Sequence, residues 1–415
     1  MELTRRQLLQ GCSLSIASLA GARLTRVAFT AAESPADLLV VVFLRGGWDA
    51  LNVVTPLDGN DRAFYQQARP NIQIPAGRLL PVDDQFGFHP ALAALRELYQ
   101  DSKLAIIHAA GLTENTRSHF DAMEYIELGT PGRKSTTSGW ITRHLQSAPY
   151  GIEGLLPVIA AGDQPSSLLN YSAAVRMSTP EDFSAWDYGL EEPRRAALRR
   201  LYQGQSLLHQ VGQRTLDTLQ VVAPLQNNDY QPANGATYSD NDLGRQLKTV
   251  ARMVKLQAGL QVATVDFGGW DTHEYQNNEN GEGYLQEMLG ELSNELANFY
   301  LDLDGTGSQD YASRLSVIVL SEFGRRLAQN DSYGTDHGHG SVMLALGGGV
   351  NGGKVFGEWP GLSNEQLYDR ADLAVTTDFR QVLGELLVKR LANPDLETVF
   401  PGFSAGYQPL GIFRA

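Results

Sequence analysis

Cysteine is almost absent: the 415 residues hold one, Cys12. It lies in a segment that reads as a cleavable leader. The remaining chain is therefore expected to have no disulfide, no thiolate metal site and no cysteine nucleophile. Positive charge is also scarce. Lys and Arg number 33 against 47 Asp and Glu, a net charge of −14. That balance excludes the basic face that nucleic acid requires. Beyond the leader there is no apolar run of membrane length, so no stable membrane anchor is expected. No repeat of fixed period is present.

The leader itself is specific. Thr4-Arg5-Arg6-Gln7-Leu8-Leu9 pairs two arginines before a mildly apolar stretch, and Leu8 to Ala20 carries no charge. Ala20-Gly21-Ala22 supplies the small residues that a signal peptidase reads. The pattern is that of a twin-arginine signal. Residues 1–32 are assigned to signal and leader, with cleavage near 22 and the twin-arginine translocase as the export partner. The expected location is periplasmic or secreted. Cys12 loosely fits a lipobox but precedes most of the apolar run.

The rest, 33–415, reads as a single domain. Hydrophobic residues at 42% suffice for a globular core. Continuous apolar runs fall at 38–44, 104–108, 156–160, 260–267, 315–320 and 342–346. They do not alternate, which predicts strands buried on both faces, as in a parallel sheet. Helical patterns lie between them, at 89–98 with a proline at its first position, 284–301 and 379–391. Strands alternating with helices predict an α/β fold with a central, mostly parallel sheet flanked by helices. Residues 190–257 break the rhythm and read as a helical insertion around a polar loop.

Three motifs are set aside. Gly348-Gly349-Val350-Asn351-Gly352-Gly353-Lys354-Val355 approaches a P-loop, but Val355 stands where Ser or Thr must be. Gly402-Phe403-Ser404-Ala405-Gly406 resembles a nucleophile elbow, yet the last histidine, His339, precedes it. Asp302-Leu303-Asp304-Gly305 lacks the other ligands of a calcium loop.

What remains is a set of acids and histidines at the ends of expected strands, where α/β sheets build their sites. Asp49 and Asn52 follow the first run. Arg117-Ser118-His119-Phe120-Asp121 follows the second and reads as a helix start, with Ser118 placed to cap it. Asp271 and His273 follow a middle run, and Glu322 ends the next. Asp336, His337 and His339 sit in a glycine-flanked loop before the last run. Carboxylates and neutral imidazoles suit a divalent ion such as Zn²⁺ or Mn²⁺. Acids gathered at one place without a cation would repel.

Together these motifs resemble the DUF1501 family. The residues that carry the likeness are Gly46-Gly47-Trp48-Asp49, Arg117-Ser118-His119-Phe120-Asp121, Gly269-Trp270-Asp271-Thr272-His273, Ser321-Glu322-Phe323-Gly324-Arg325, Gly334-Thr335-Asp336-His337-Gly338 and Thr376-Thr377-Asp378-Phe379-Arg380. That family is an uncharacterised group placed near the alkaline phosphatase and sulfatase superfamily. The resemblance implies an alkaline phosphatase-like, metal-centred fold. It implies Asp49, Asp271 and His273 as metal ligands and Ser118 as nucleophile. Glu322-Phe323 stands where sulfatase-like members have Asp-His. Phe323 cannot bind metal, so a full two-metal site would need His337 or His339 instead.

The expected activity is metal-dependent hydrolysis of a phosphate or related ester, on a small molecule or polymer. A sulfatase is disfavoured because no cysteine survives export. The expected ion set is one or two, bound by Asp49, Asp271, His273, Glu322, Asp336, His337 and His339. Ser118, His119 and Arg117 are the expected catalytic group, and Arg45, Asn52 and Arg325 the substrate contacts. The alternative is a non-catalytic envelope protein that keeps the fold and binds a ligand or polymer.

Overall fold

A computed structural model describes residues 37–150, 154–171, 173–181, 191–223, 225 and 230–414. The leader lies outside these residues. The fold is α/β, with a large mixed, mostly parallel sheet flanked by helices.

The sheet is built from β1 (Leu38–Leu44), β2 (Leu104–Gly111), β3 (Val158–Ala160), β4 (Ala174–Arg176), β5 (Val262–Phe267) and β6 (Leu315–Ser321). A hairpin follows, β7 (Arg325–Gln329) with β8 (Thr335–His337). The chain then re-enters the sheet as β9 (Ser341–Leu346), and β10 (Lys354–Phe356) and β11 (Thr377–Asp378) complete it. The spatial order is β10-β2-β9-β6-β1-β5-β3-β4, with β11 beside β2. β1 lies in parallel between β5 and β6.

The reason for the unbroken apolar runs is visible in β1. Leu38, Val40, Val42 and Leu44 enter one core, while Leu39, Val41 and Phe43 enter the other. Successive side chains of a strand point to opposite faces, so both sets must be apolar when both faces are covered. The cover includes α1 (Ala93–Gln100), α2 (His119–Leu128), α3 (Trp140–Ser147), α4 (Asp242–Lys255), α5 (Tyr284–Leu303) and α6 (Phe379–Lys389). Leu247, Val250, Leu289 and Leu296 of α4 and α5 join the first core; Ile126 of α2, Ile141 of α3 and Leu383 of α6 join the second.

Two local expectations need correction. The run at 342–346, read as another parallel strand, is β9, and it pairs antiparallel with both β2 and β6. Period alone cannot reveal strand direction, because burial on both faces produces the same continuous run. The helix expected from His89 begins instead as a 3₁₀ turn, Pro90–Leu92, before α1. His89 caps that turn through Nδ1, which accepts from Ala91 N. Within 190–257 the chain forms helices Glu191–Leu201, Leu207–Val222 and α4.

Candidate metal centre

The C-terminal ends of β1, β5 and β6 meet at one edge, and the segments leaving them are held together by glycine geometry. Gly46 has φ +126°, and a Cβ there would lie 2.5 Å from Asp271 N. Gly47 has φ +71°, and its Cβ would strike the Phe323 ring at 2.6 Å. Both need a backbone that other residues rarely adopt. The β1 turn therefore lies directly on the Asp271 and Phe323 segments.

Four donor atoms converge above this floor. His337 Nε2 lies 2.9 Å from His119 Nε2, 2.9 Å from His273 Nε2 and 3.0 Å from Asp271 Oδ1. Asp271 Oδ1 is 3.1 Å from His273 Nε2 and 3.4 Å from His119 Nε2. Each imidazole is anchored through its other nitrogen. His119 Nδ1 meets Glu322 Oε1 at 2.6 Å, His273 Nδ1 meets Asp336 Oδ1 at 3.1 Å, and His337 Nδ1 meets the Arg117 carbonyl at 2.8 Å. An acceptor at Nδ1 fixes the proton there and turns the Nε2 lone pair toward the centre.

This arrangement tests whether an ion fits. Three bare lone pairs and a carboxylate oxygen cannot face one another at such distances without positive charge between them. A proton can bridge one pair; a divalent cation satisfies the whole set. Ligands about 2.0–2.1 Å from a tetrahedral ion stand roughly 3.3 Å apart, close to the spacings found here. His119, Asp271 and His337 hold their ligand atoms within 4.8 Å of one another, and His273 adds a fourth donor beside two of them.

The electrostatics agree. Burial alone would raise the Asp271 carboxyl, but the hydrogen bond and charge of Arg325, with His337 and His119, lower it to about 2. Asp271 is thus an anion throughout the working range. Burial lowers His337, against the hydrogen bonds to Asp271 and the Arg117 carbonyl. The hydrogen bond to Glu322, opposed by burial, raises His119 and makes it the more basic donor. Phe323, buried, lies beneath His119 and His337 with ring centroids 4.8 and 5.0 Å away. Phe323 thus gives the cluster an apolar floor.

The structure distributes the expected residues differently from the sequence reading. Asp49, expected as a ligand, has both oxygens taken by Arg69 at 2.6 and 2.9 Å, and Gln276 donates at 2.6 Å. Arg69 is fully buried and provides there the positive charge that a second ion would have brought. Glu322 and Asp336 orient histidines from behind rather than joining the four converging atoms. Glu322 also accepts from Gly46 N and Ser321 Oγ, at 2.8 and 2.9 Å. His339 stacks on Tyr368 at 4.2 Å, outside the cluster. His119, expected to be catalytic, is one of the converging donors.

The expected substrate contacts are also otherwise engaged. Arg45 pairs with Asp266 and Glu127, both at 2.7 Å. Asn52 is buried against Tyr65, Arg69 and Ile72. Arg325 is buried; it donates to the Gly46, Gly47, Trp270 and Thr335 carbonyls and to Asp271, and so clamps three segments. Arg117 binds Asp372 at 2.5 Å and Asp369 at 3.3 Å. Ser118 is the N-cap of α2, accepting from Asp121 N over a long 3.4 Å.

Residues missed from sequence include Arg69, Gln276, Asn330 and Arg326. Arg326 had a usable signal: it follows Arg325 on β7, and alternation along a strand sends one inward and the other outward. Its side chain is 45% exposed, and its Nε lies 3.9 Å from Asp372 Oδ1, beyond hydrogen-bond range. That buried oxygen has no hydrogen-bond partner.

The family described as "Protein of unknown function (DUF1501)" matches residues 36–387. No curated protein matches the chain. Among solved structures, Ps i-CgsB in complex with k-i-k-neocarrahexaose aligns with a TM-score of 0.38 at 9% identity, covering 90% of this chain and 77% of that one. A second structure of Ps i-CgsB aligns with a TM-score of 0.37 at 10% identity, over the same shares.

Proposed function

We propose, from the premise that this chain belongs to the DUF1501 family, that it is a metal-dependent hydrolase of phosphate or related esters. The observation that carries the reading is the convergence of His119, His273 and His337 with Asp271, each imidazole anchored through Nδ1. A donor set of three imidazoles and one carboxylate suits Zn²⁺ or Mn²⁺. With Asp49 saturated by Arg69 and Gln276, the reading is of one ion rather than two.

A bound divalent ion supplies Lewis-acid charge and acidifies a hydroxyl or water brought against it. The chain's own residues do the rest. Ser118 lies between Arg117, whose carbonyl holds His337, and His119, itself a donor to the cluster. We assign the attack to its hydroxyl, whose capping bond to Asp121 N is long at 3.4 Å. Arg326 is the guanidinium assigned to the ester's anionic oxygens: its Nε stands 3.9 Å from Asp372, whereas Arg45, Arg117 and Arg325 are held by carboxylates at 2.7, 2.5 and 2.6 Å. Phe323 excludes water from beneath the histidines.

The test is metal content of protein purified without chelator, followed by hydrolysis of aryl phosphate, phosphodiester and sulfate esters. About one Zn²⁺ or Mn²⁺ per chain is expected, with phosphate-ester turnover that His273→Ala abolishes. Metal-free protein that binds neither ion on reconstitution overturns the reading.

The proposal includes export by the twin-arginine route, supported by Arg5-Arg6 before an uncharged run. No helix among the described residues is long and apolar enough to cross a membrane. Arg5→Lys with Arg6→Lys is expected to leave the protein in the cytoplasm; normal delivery of that variant refutes the route.

A further inference from the structure

Beside the cluster, two loops are laced into one rigid unit. Asn330 Nδ2 donates to the His273 carbonyl at 2.9 Å and to Asp336 Oδ1 at 3.2 Å. Thr335 N donates to the Thr272 carbonyl, Tyr275 N to Ser332 and Gln276 N to Tyr333, at 3.0, 2.9 and 2.9 Å. Gly334 packs so closely that a Cβ would lie 2.2 Å from His273 C. One loop carries His273 and the other leads into His337, so the unit is continuous with the metal centre.

The unit carries two tyrosines on adjoining backbone, with Tyr275 N bonded to the Ser332 carbonyl and Gln276 N to that of Tyr333. Tyr275 and Tyr333 both hold left-handed backbone, at φ 47° and 58°. Glycine or asparagine fits that conformation with less strain. Neither ring is packed away: Tyr275 is 74% exposed and Tyr333 47%. Local strain held by a well-bonded surround, with large aromatic faces left in water, is the pattern of a binding surface.

We infer that Tyr275 and Tyr333 form a stacking platform for a ring-bearing alcohol portion, aryl or pyranosyl, of the ester taken by the metal centre. The inference rests on the hydrolase reading above. The anionic group meets the ion and Arg326, and the ring lies over the tyrosine faces. An aryl face or the axial C–H face of a pyranosyl ring gains from such contact without directional bonding, so the platform selects for rings over short alkyl groups.

The experiment measures binding of phenylphosphonate, methylphosphonate and glucose 1-phosphate to the zinc-loaded protein by calorimetry. Phenylphosphonate or glucose 1-phosphate is expected to bind about tenfold tighter than methylphosphonate, the scale of one aromatic stacking contact. Whichever of the two is preferred identifies the ring. The variant Tyr275→Gly with Tyr333→Asn removes both rings yet suits the left-handed backbone, so its melting temperature should hold or rise. In it the ring preference should vanish while methylphosphonate affinity and zinc content stay unchanged. Equal binding of all three ligands by the wild-type protein, or a ring preference surviving in the variant, overturns the platform alone. Zinc-loaded protein that binds none of the ligands overturns the ester-hydrolase reading together with the platform.

Discussion

Replacing Glu322 by glutamine isolates what a buried negative charge behind a histidine contributes to metal binding. Oε1 of Glu322 accepts from His119 Nδ1 and Gly46 N, and Oε2 accepts from Ser321 Oγ. In Glu322→Gln the amide oxygen can keep the first two bonds. The new NH₂ then faces Ser321 Oγ, whose hydroxyl has a second acceptor, the Leu44 carbonyl at 2.6 Å. Every polar group keeps a partner, with only the Ser321 contact reversed in direction, so the principal change is the loss of charge. Loss of such a partner behind a ligating histidine costs about 10–100-fold in metal affinity, or about 1.4–2.7 kcal/mol. The assay is competition with a chromophoric chelator for Zn²⁺, alongside the melting temperature of the metal-free protein, which should not move. Glu322→Ala behaves differently: it orphans two N–H groups at about 1–3 kcal/mol each and should lower that melting temperature. Wild-type zinc affinity in Glu322→Gln refutes the idea that Glu322 supports the centre through His119.

Two further outcomes follow from buried polar groups away from the converging atoms. Burial pushes His108 and His144 down to about 4. The unfolded chain takes up protons near 6.5, before the folded one, so stability is fully present above that value and is lost as the pH falls toward 4. The two together should cost about 4 kcal/mol between pH 7 and pH 5; urea unfolding that gives equal stability at both values excludes this. Arg69→Met leaves Asp49 buried and unpaired, a loss of about 3–5 kcal/mol, while Asp49→Asn should retain the zinc. Loss of zinc in Asp49→Asn would restore Asp49 as a ligand.

The sheet was legible because its strands are buried on both faces, and β1 coincides with its apolar run from Leu38 to Leu44. Strand direction was not, and β9 shows why: apolarity records burial, whereas direction depends on what connects the strands. At the cluster, residue type singled out His119, Asp271, His273 and His337, which the structure brings together. It did not announce which acids face the centre. Asp49 and Glu322 have the same chemistry as Asp271; only their partners distinguish them, and Arg69 lies 20 residues from Asp49 in the chain. The histidine anchors were equally hidden, because the Arg117 carbonyl leaves no trace in the sequence.

The reversed strand bears on how the donor cluster can be altered. β6 leaves the sheet at the edge that bears the site, and β9, running the other way beside it, re-enters at that same edge. Residues 322–340 therefore depart and return without crossing the sheet, and they carry Glu322, Phe323, Arg325, Arg326, Asp336 and His337 in one excursion. One of the four converging donors, with two of the groups that anchor the histidines, thus lies on a cassette whose two ends are pinned to neighbouring strands. Its ends remain adjacent whatever its length, so closure cost varies only slowly with insertion or deletion. Exchanging this one segment between homologous chains would transplant a floor, a clamp and a ligand together, with the sheet left untouched.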